Sequence, residues 1–137
     1  MVTAGDYLEL QQFYSRQMQL LDCGQTEEWS QTFTRDGIFA VGDQITTGSR
    51  DISQAAAAAA AGFESRGIVR RHWVSMLIAD KVDDGVQVRA YAVVIETPSS
   101  GGAPAITRST VFDDLLVEES GRWKVSRRQV RRDGVDS

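Results

Sequence analysis

With a single cysteine, Cys23, the chain can close no intramolecular disulfide and cannot assemble a thiolate zinc cluster from one copy. It has no run of about eighteen apolar residues to span a bilayer. Met1 to Asp6 also lack the basic segment and apolar stretch of a secretory signal. The expected address is therefore the cytoplasm, with no membrane partner. Positive charge is in deficit: 15 Lys and Arg stand against 19 Asp and Glu, a net charge of -4 with a pI near 4.9. That balance opposes broad attraction to nucleic acid. Basic residues gather once, at Arg122, Lys124, Arg127, Arg128, Arg131 and Arg132. Strand alternation splits Arg127 and Arg131 from Arg128 and Arg132, so the cluster reads as a solvated edge strand kept from aggregating by its charges. There is no glycine-rich phosphate loop, nucleophile elbow, paired-histidine zinc motif or calcium loop. Asp83-Asp84-Gly85 is too short to be more than a turn, and Cys23 reads as a partly buried thiol.

What the 137 residues do contain is the material of one core, 42% hydrophobic with 25% charged. Thr3 and Asp6 resemble a capping box, after which Tyr7, Leu10, Tyr14, Met18 and Leu21 recur at helical spacing. A helix from about residue 4 to Cys23 follows, ended by Gly24. Thr26 is placed to cap a shorter helix with Glu27 and Glu28 at its positive end and Trp29 and Phe33 on its buried side. Ile38 to Val41 and Ile45 to Thr47 read as two short strands around a turn. Ser49 then caps a third helix carrying Ile52, the alanine run Ala55 to Ala61 and Phe63, which stops near Gly67. Alanine suits a helix lying close to a sheet.

Ile68 to Val82 and Val86 to Thr97 form a long hairpin across Asp83-Asp84-Gly85. After a loop from Pro98 to Pro104, Ala105 to Glu118 and Arg122 to Arg132 supply two more strands, and Asp133 to Ser137 is a loose tail. Helices gathered ahead of long antiparallel strands predict an α+β fold in residues 1–132, three helices packed on a curved antiparallel sheet.

Several short motifs in this order match a known family. They are Phe13-Tyr14 with Leu21-Asp22, Glu28-Trp29, Phe33-Thr34-Arg35-Asp36-Gly37, Arg71-His72-Trp73 and Gly121-Arg122-Trp123-Lys124-Val125. The chain resembles the SnoaL-like polyketide cyclase branch of the nuclear transport factor 2-like superfamily, across almost its whole length. The resemblance implies a cone-shaped, cystatin-like fold, a homodimer through the sheet, and a cyclase, dehydratase or isomerase. The first two helices also resemble the small β subunit of aromatic-ring dioxygenases, which shares the fold without being the seat of catalysis.

His72 is the only histidine, and its reference pKa of about 6.5 suits proton transfer near neutrality. If it faces inward, alternation brings Arg70, Val74, Met76 and Ile78 to the same face. In the resembled dehydratases and cyclases a histidine at the matching place takes part in catalysis, which implies the same of His72. The competing reading is a buried histidine satisfied by backbone or by an aspartate. Tyr14 lies about 40° from Met18 around the helix axis, so its hydroxyl could serve a developing oxyanion in the pocket or be a core tyrosine with one hydrogen bond. Asp22 borders the same face and could orient His72 or simply help end the helix. Asp36 before Gly37 reads as a turn residue.

Met18, Trp29, Phe33, Met76 and Phe112 are candidates for an apolar pocket wall, each with core packing as its alternative. Arg108 shares strand parity with Phe112 and could pair with an acidic ligand or sit on the surface. The leading expectation is a cofactor-free and metal-free cyclase, dehydratase or isomerase acting on a hydrophobic, carbonyl-bearing substrate. There His72 is base and acid, Tyr14 the oxyanion partner and Asp22 the orienter. The alternative is a noncatalytic module that binds a small molecule or supports a partner enzyme.

Overall fold

Thr3 accepts a hydrogen bond from the backbone N–H of Asp6 at 3.0 Å, so the first helix begins where the cap places it. The computed structural model describes residues 2–136, in the order α1 (Ala4–Asp22), α2 (Thr26–Ser30), β1 (Phe33–Val41), β2 (Gln44–Thr47), α3 (Ser49–Ser65), β3 (Ile68–Val82), β4 (Gly85–Pro98), β5 (Ala105–Glu119) and β6 (Arg122–Arg132). Met1, the first residue of the segment read for a signal, and Ser137, the last of the expected tail, lie outside the described residues. Two caps differ from expectation. Thr26 and Ser49 are the first helical residues, while Gln25 and Gly48 take the cap positions with no side-chain bond. Gly48 sits there because the chain leaves β2 at φ 92°, where a side chain is strained, and its N–H donates to the Gly37 carbonyl at 2.7 Å.

The six strands form one sheet in the order β2-β1-β6-β5-β4-β3. The four long strands pair antiparallel, as expected, but β1 pairs parallel with β6, so the sheet is mixed. That pairing overturns the reading of the basic C-terminal strand. β6 is an interior strand with β1 on one side and β5 on the other, and Arg128 is fully buried. Residues Thr34 to Gly37 fall at an irregularity between Phe33↔Val125 and Ile38↔Arg127, where Asp36 is exposed within β1 rather than in the expected turn.

A second irregularity corrects the alternation in β3. Register shifts between Ser75 and Ile78, and Met76 adopts φ 60° in this bulge. The extra residue reverses the faces beyond it, so Leu77 turns inward while Met76 and Ile78 are 70% and 61% exposed. Met76 is thus not a wall residue.

The core lies between the inner face of the sheet and α1 and α2. Leu10, Met18, Trp29, Val88, Leu116 and Val125 are among its buried members. The alanine run does not pack flush on the sheet. Ala55 and Ala59 remain exposed and face an open space, because their small side chains leave a gap beneath α3. Gly85, at the start of β4, lies so close to the Leu116 carbonyl that a Cβ would collide with it.

The described part of the C-terminal segment is tied down. Asp136 accepts from the Arg132 backbone N–H at 2.8 Å and from its Nε at 3.0 Å, and the Asp133 N–H donates to the Ser109 carbonyl at 2.9 Å. Cys23 is exposed, since it follows the last turn of α1. Among the described residues, no helix is long and apolar enough to cross a membrane.

Candidate active site

Strand register arranges the inner face into rows. His72 lies opposite Val94, which lies opposite Arg108; Val74, Ala92, Thr110 and Arg132 form the next row. Phe112 and Val130 follow, then Val88, Asp114 and Arg128. Over these rows, α1, α2 and α3 border a partly open cavity of about 340 Å³. Met18, Trp29 and Ile52 contribute its apolar helix side, and Val94, Phe112 and Val130 its sheet side.

His72 lines this cavity with its side chain 12% exposed. Its ring Nδ1 is 2.6 Å from Asp22 Oδ1, and the same carboxylate accepts from the His72 backbone N–H at 3.1 Å and 3.2 Å. An ionised carboxylate can only accept, so the proton of the neutral imidazole resides on Nδ1. Nε2 is left with its lone pair, and it has no partner among the described residues. The Asp22 side chain is 6% exposed and is not itself on the cavity wall. α1 ends at Asp22, and so the helix terminus delivers the carboxylate to β3.

Tyr14 takes the second of its two expected roles, a core tyrosine with one hydrogen bond, and not the pocket one. Its hydroxyl does not line the cavity; it donates to Asp114 Oδ2 at 2.5 Å beneath the cavity floor. Asp114 also accepts from Arg128 Nε at 3.0 Å and Nη2 at 2.9 Å, and Arg128 Nη2 donates to Gln17 Oε1 at 2.7 Å. Gln17 continues the chain by donating to Thr32 Oγ1 at 2.7 Å. Burial, then the Asp114 charge, pushes the Tyr14 phenol well above its ordinary range. For Arg128, burial works against the charge, but Asp114 outweighs it and raises the guanidinium pKa. The phenol therefore stays neutral and the guanidinium stays charged.

Arg128 also lines the cavity, with its guanidinium carbon 4.4 Å from the Phe112 ring centroid. Its Nη1 has no partner among the described residues. Phe33, expected on the wall, lies behind it: the ring packs edge-on against Trp29 and Phe39 at 5.1 Å and 6.0 Å. Phe39 takes the wall position instead. Met18, Trp29, Arg108 and Phe112 do line the cavity, and Arg70 joins His72 there, as strand parity predicts. No group of three or more His, Cys, Asp and Glu that could hold a metal ion occurs among the described residues.

The SnoaL-like domain family model matches residues 2–129. The chain belongs to the SnoaL-like domain family. Among solved structures, this SnoaL-like domain is similar to ActVI-ORFA from Streptomyces coelicolor, with TM-score 0.92 and 28% identity over 98% of this chain and 100% of that one. It is similar to a Catenulispora acidiphila protein determined in complex with S-DNPA, with TM-score 0.84 and 33% identity over 96% of each chain. A Novosphingobium aromaticivorans protein described as nuclear transport factor 2-like with a cystatin-like fold shares the architecture, with TM-score 0.83 and 20% identity over 97% of this chain and 85% of that one. Comparison with curated proteins finds no match.

Sequence reasoning missed the Asp114–Arg128 pair of this SnoaL-like domain. A signal for it exists. Thr110, Phe112, Asp114 and Leu116 share one parity on β5 and are all buried. A carboxylate among inward-facing residues requires a buried donor, and Arg128 shares parity with inward-facing Val130.

Proposed function

We propose that this SnoaL-like domain catalyses a cyclisation, dehydration or isomerisation of a hydrophobic, carbonyl-bearing small molecule by acid–base chemistry at His72. The observation that carries the reading is the 2.6 Å contact of His72 Nδ1 with Asp22 at the edge of an apolar cavity. The contact fixes the ring and its tautomer and turns the free Nε2 lone pair into a base with a defined direction. Nε2 takes a proton from a carbon beside the carbonyl, or from a hydroxyl. The resulting imidazolium is stabilised by Asp22 and returns that proton to a departing hydroxyl or to another carbon. Negative charge developing on the carbonyl oxygen is met by Arg128, through the nitrogen that its protein partners leave free. Arg128 thus takes the part first assigned to Tyr14, which acts instead as a prop for Asp114.

Apolar walls favour a hydrophobic substrate and hold it in the shape from which a ring can close. The Catenulispora acidiphila protein was determined in complex with S-DNPA, which supports a ligand-binding use of the cavity in this chain. The same reading extends to a homodimer through the outer face of the sheet, where Trp73, Ile78 and Tyr91 are 64%, 61% and 52% exposed.

The test is deuterium exchange, followed by NMR, at carbons beside the carbonyl of aromatic β-diketones incubated with the protein in heavy water. Wild type is expected to accelerate exchange, and His72→Gln to lose about a hundred- to ten-thousand-fold of that rate while keeping its circular dichroism. Unchanged exchange in a folded His72→Gln protein would sink the assignment. Binding with no exchange by wild type would favour the noncatalytic binding module.

A further inference from the structure

Four arginines, Arg70, Arg108, Arg128 and Arg132, line the cavity against one carboxylate, Glu96, in a chain whose net charge is -4. Two of them are already neutralised: Arg128 by Asp114 at 2.9 Å and Arg132 by Asp136 at 3.0 Å. Arg70 and Arg108 form no ion pair among the described residues. Glu96 lies across the β3–β4 ladder from Arg70, but it accepts the Thr107 hydroxyl at 2.7 Å.

Arg70 is the more constrained of the two free cations. Its guanidinium carbon lies 3.9 Å from the centroid of the Phe63 ring, and Arg66 sits 4.5 Å from the same centroid. Half-burial strips water from Arg70 and holds its pKa below the usual guanidinium range, against the opposing pull of Asp22 and Glu96, while Arg66 adds to the lowering. Asp22, Glu96 and the Phe63 face offset that desolvation only in part, and no carboxylate among the described residues pairs with Arg70 directly. With no ion pair among the described residues, the guanidinium on the cavity lining keeps its N–H fork for a ligand, and a carboxylate fits that fork bidentately.

We propose that the substrate is a hydrophobic carboxylic acid whose carboxylate pairs with Arg70, two residues before His72 on one face of β3. Arg108, in the His72 row, supplies a second cation on the lining. The proposal rests on the cavity being the substrate site and adds the substrate's charge to that reading. Two residues along a strand separate anchor from base by about 7 Å. The acid group therefore fixes which carbon of the substrate meets Nε2.

Calorimetric titration with naphthoate and with its methyl ester tests this without any turnover. Wild type is expected to bind the acid about 10- to 100-fold more tightly than the ester, the range of a charge-assisted hydrogen-bonded pair. Arg70→Gln removes most of that preference while ester affinity stays unchanged, which also shows that the variant is folded. Arg70→Lys keeps the charge without the fork and retains part of the preference. The titration reads no turnover, so a wild type that prefers the acid but catalyses no exchange would lose the catalytic reading while keeping this one. Equal affinity for acid and ester in wild type, or a full preference surviving in Arg70→Gln, overturns the proposal. Absence of binding by either probe overturns it together with the cavity's role.

Discussion

Asp22 holds His72 twice, through the ring Nδ1 at 2.6 Å and through the backbone N–H at 3.1 Å and 3.2 Å, so the end of α1 is fastened to β3 at the cavity wall. One carboxylate sets both the position of the strand and the tautomer of the ring.

Because His72 is the only histidine, its ring nitrogens can be followed by nitrogen NMR without ambiguity. The neutral ring of wild type is expected to show a protonated Nδ1 and a bare Nε2. Asp22→Asn offers an amide donor to Nδ1, shifts the proton to Nε2, and lowers exchange activity by up to about ten-thousand-fold. An unchanged tautomer in Asp22→Asn would remove Asp22 as the orienting group.

The Asp114–Arg128 pair is buried with side chains at 0% and 1% exposure. Asp114→Leu strands a buried guanidinium and is expected to cost about 3–5 kcal/mol. Replacing Asp114 by Leu, Arg128 by Met and Tyr14 by Phe together removes both charges and the phenol, leaves only the neutral Gln17 Oε1 without its donor, and should cost less than Asp114→Leu alone. Urea denaturation of the single and triple variants checks the order, and a triple variant less stable than the single one would contradict it.

Tyr14, with its pKa pushed up by burial and then by Asp114, binds its proton more tightly in the folded than in the unfolded chain. The stability linked to that proton is complete below the unfolded phenol's pKa of about 10 and is lost as pH rises from there toward the folded value. Spectroscopic titration of tyrosinate should therefore show the same amplitude for wild type and Tyr14→Phe until the alkaline unfolding transition. A smaller native-state amplitude in Tyr14→Phe would show that Tyr14 ionises in the folded protein.

Met76 holds φ 60° in the β3 bulge while its side chain is 70% exposed. Left-handed backbone costs an ordinary residue about 1–2 kcal/mol, and little packing is lost by truncating an exposed side chain. Met76→Gly is expected to be neutral or to stabilise by up to about 1 kcal/mol, against the usual loss for glycine within a strand. A loss above that size in thermal unfolding would show that the Met76 side chain is held by contacts outside this chain or that the bulge is not strained.

The outer face of β3 and β4 predicts that Trp73→Glu lowers self-association. Sedimentation velocity across a concentration series reads the outcome, and a wild type that remains monomeric at high concentration would remove the dimer.

Local pattern carried most of the element boundaries, because capping, helical spacing and the Asp83-Asp84-Gly85 turn act over a few residues. The β3 span Ile68–Val82 and the helix α1 needed nothing distant to be recognised. Side-chain direction was legible only while alternation ran unbroken. Arg70 and His72 could be placed together on the wall, but the bulge at Met76 shifts parity through backbone geometry that a methionine in sequence does not announce. Phe33 and Phe39 were equally apolar in the chain, and the packing against Trp29 chose which one reaches the cavity.

From its order of residues alone this protein could be known as helices followed by long strands, with one histidine and an aspartate suited to orient it. Folding in three dimensions settled the rest. The parallel pairing of β1 with β6 moved a strongly basic strand from an expected edge to the interior, where Arg128 meets Asp114, 14 positions away in sequence, and Tyr14, 100 positions from Asp114. Such partners are chosen by the cost of burying charge without compensation, and that cost is set by which strands become neighbours rather than by any local pattern.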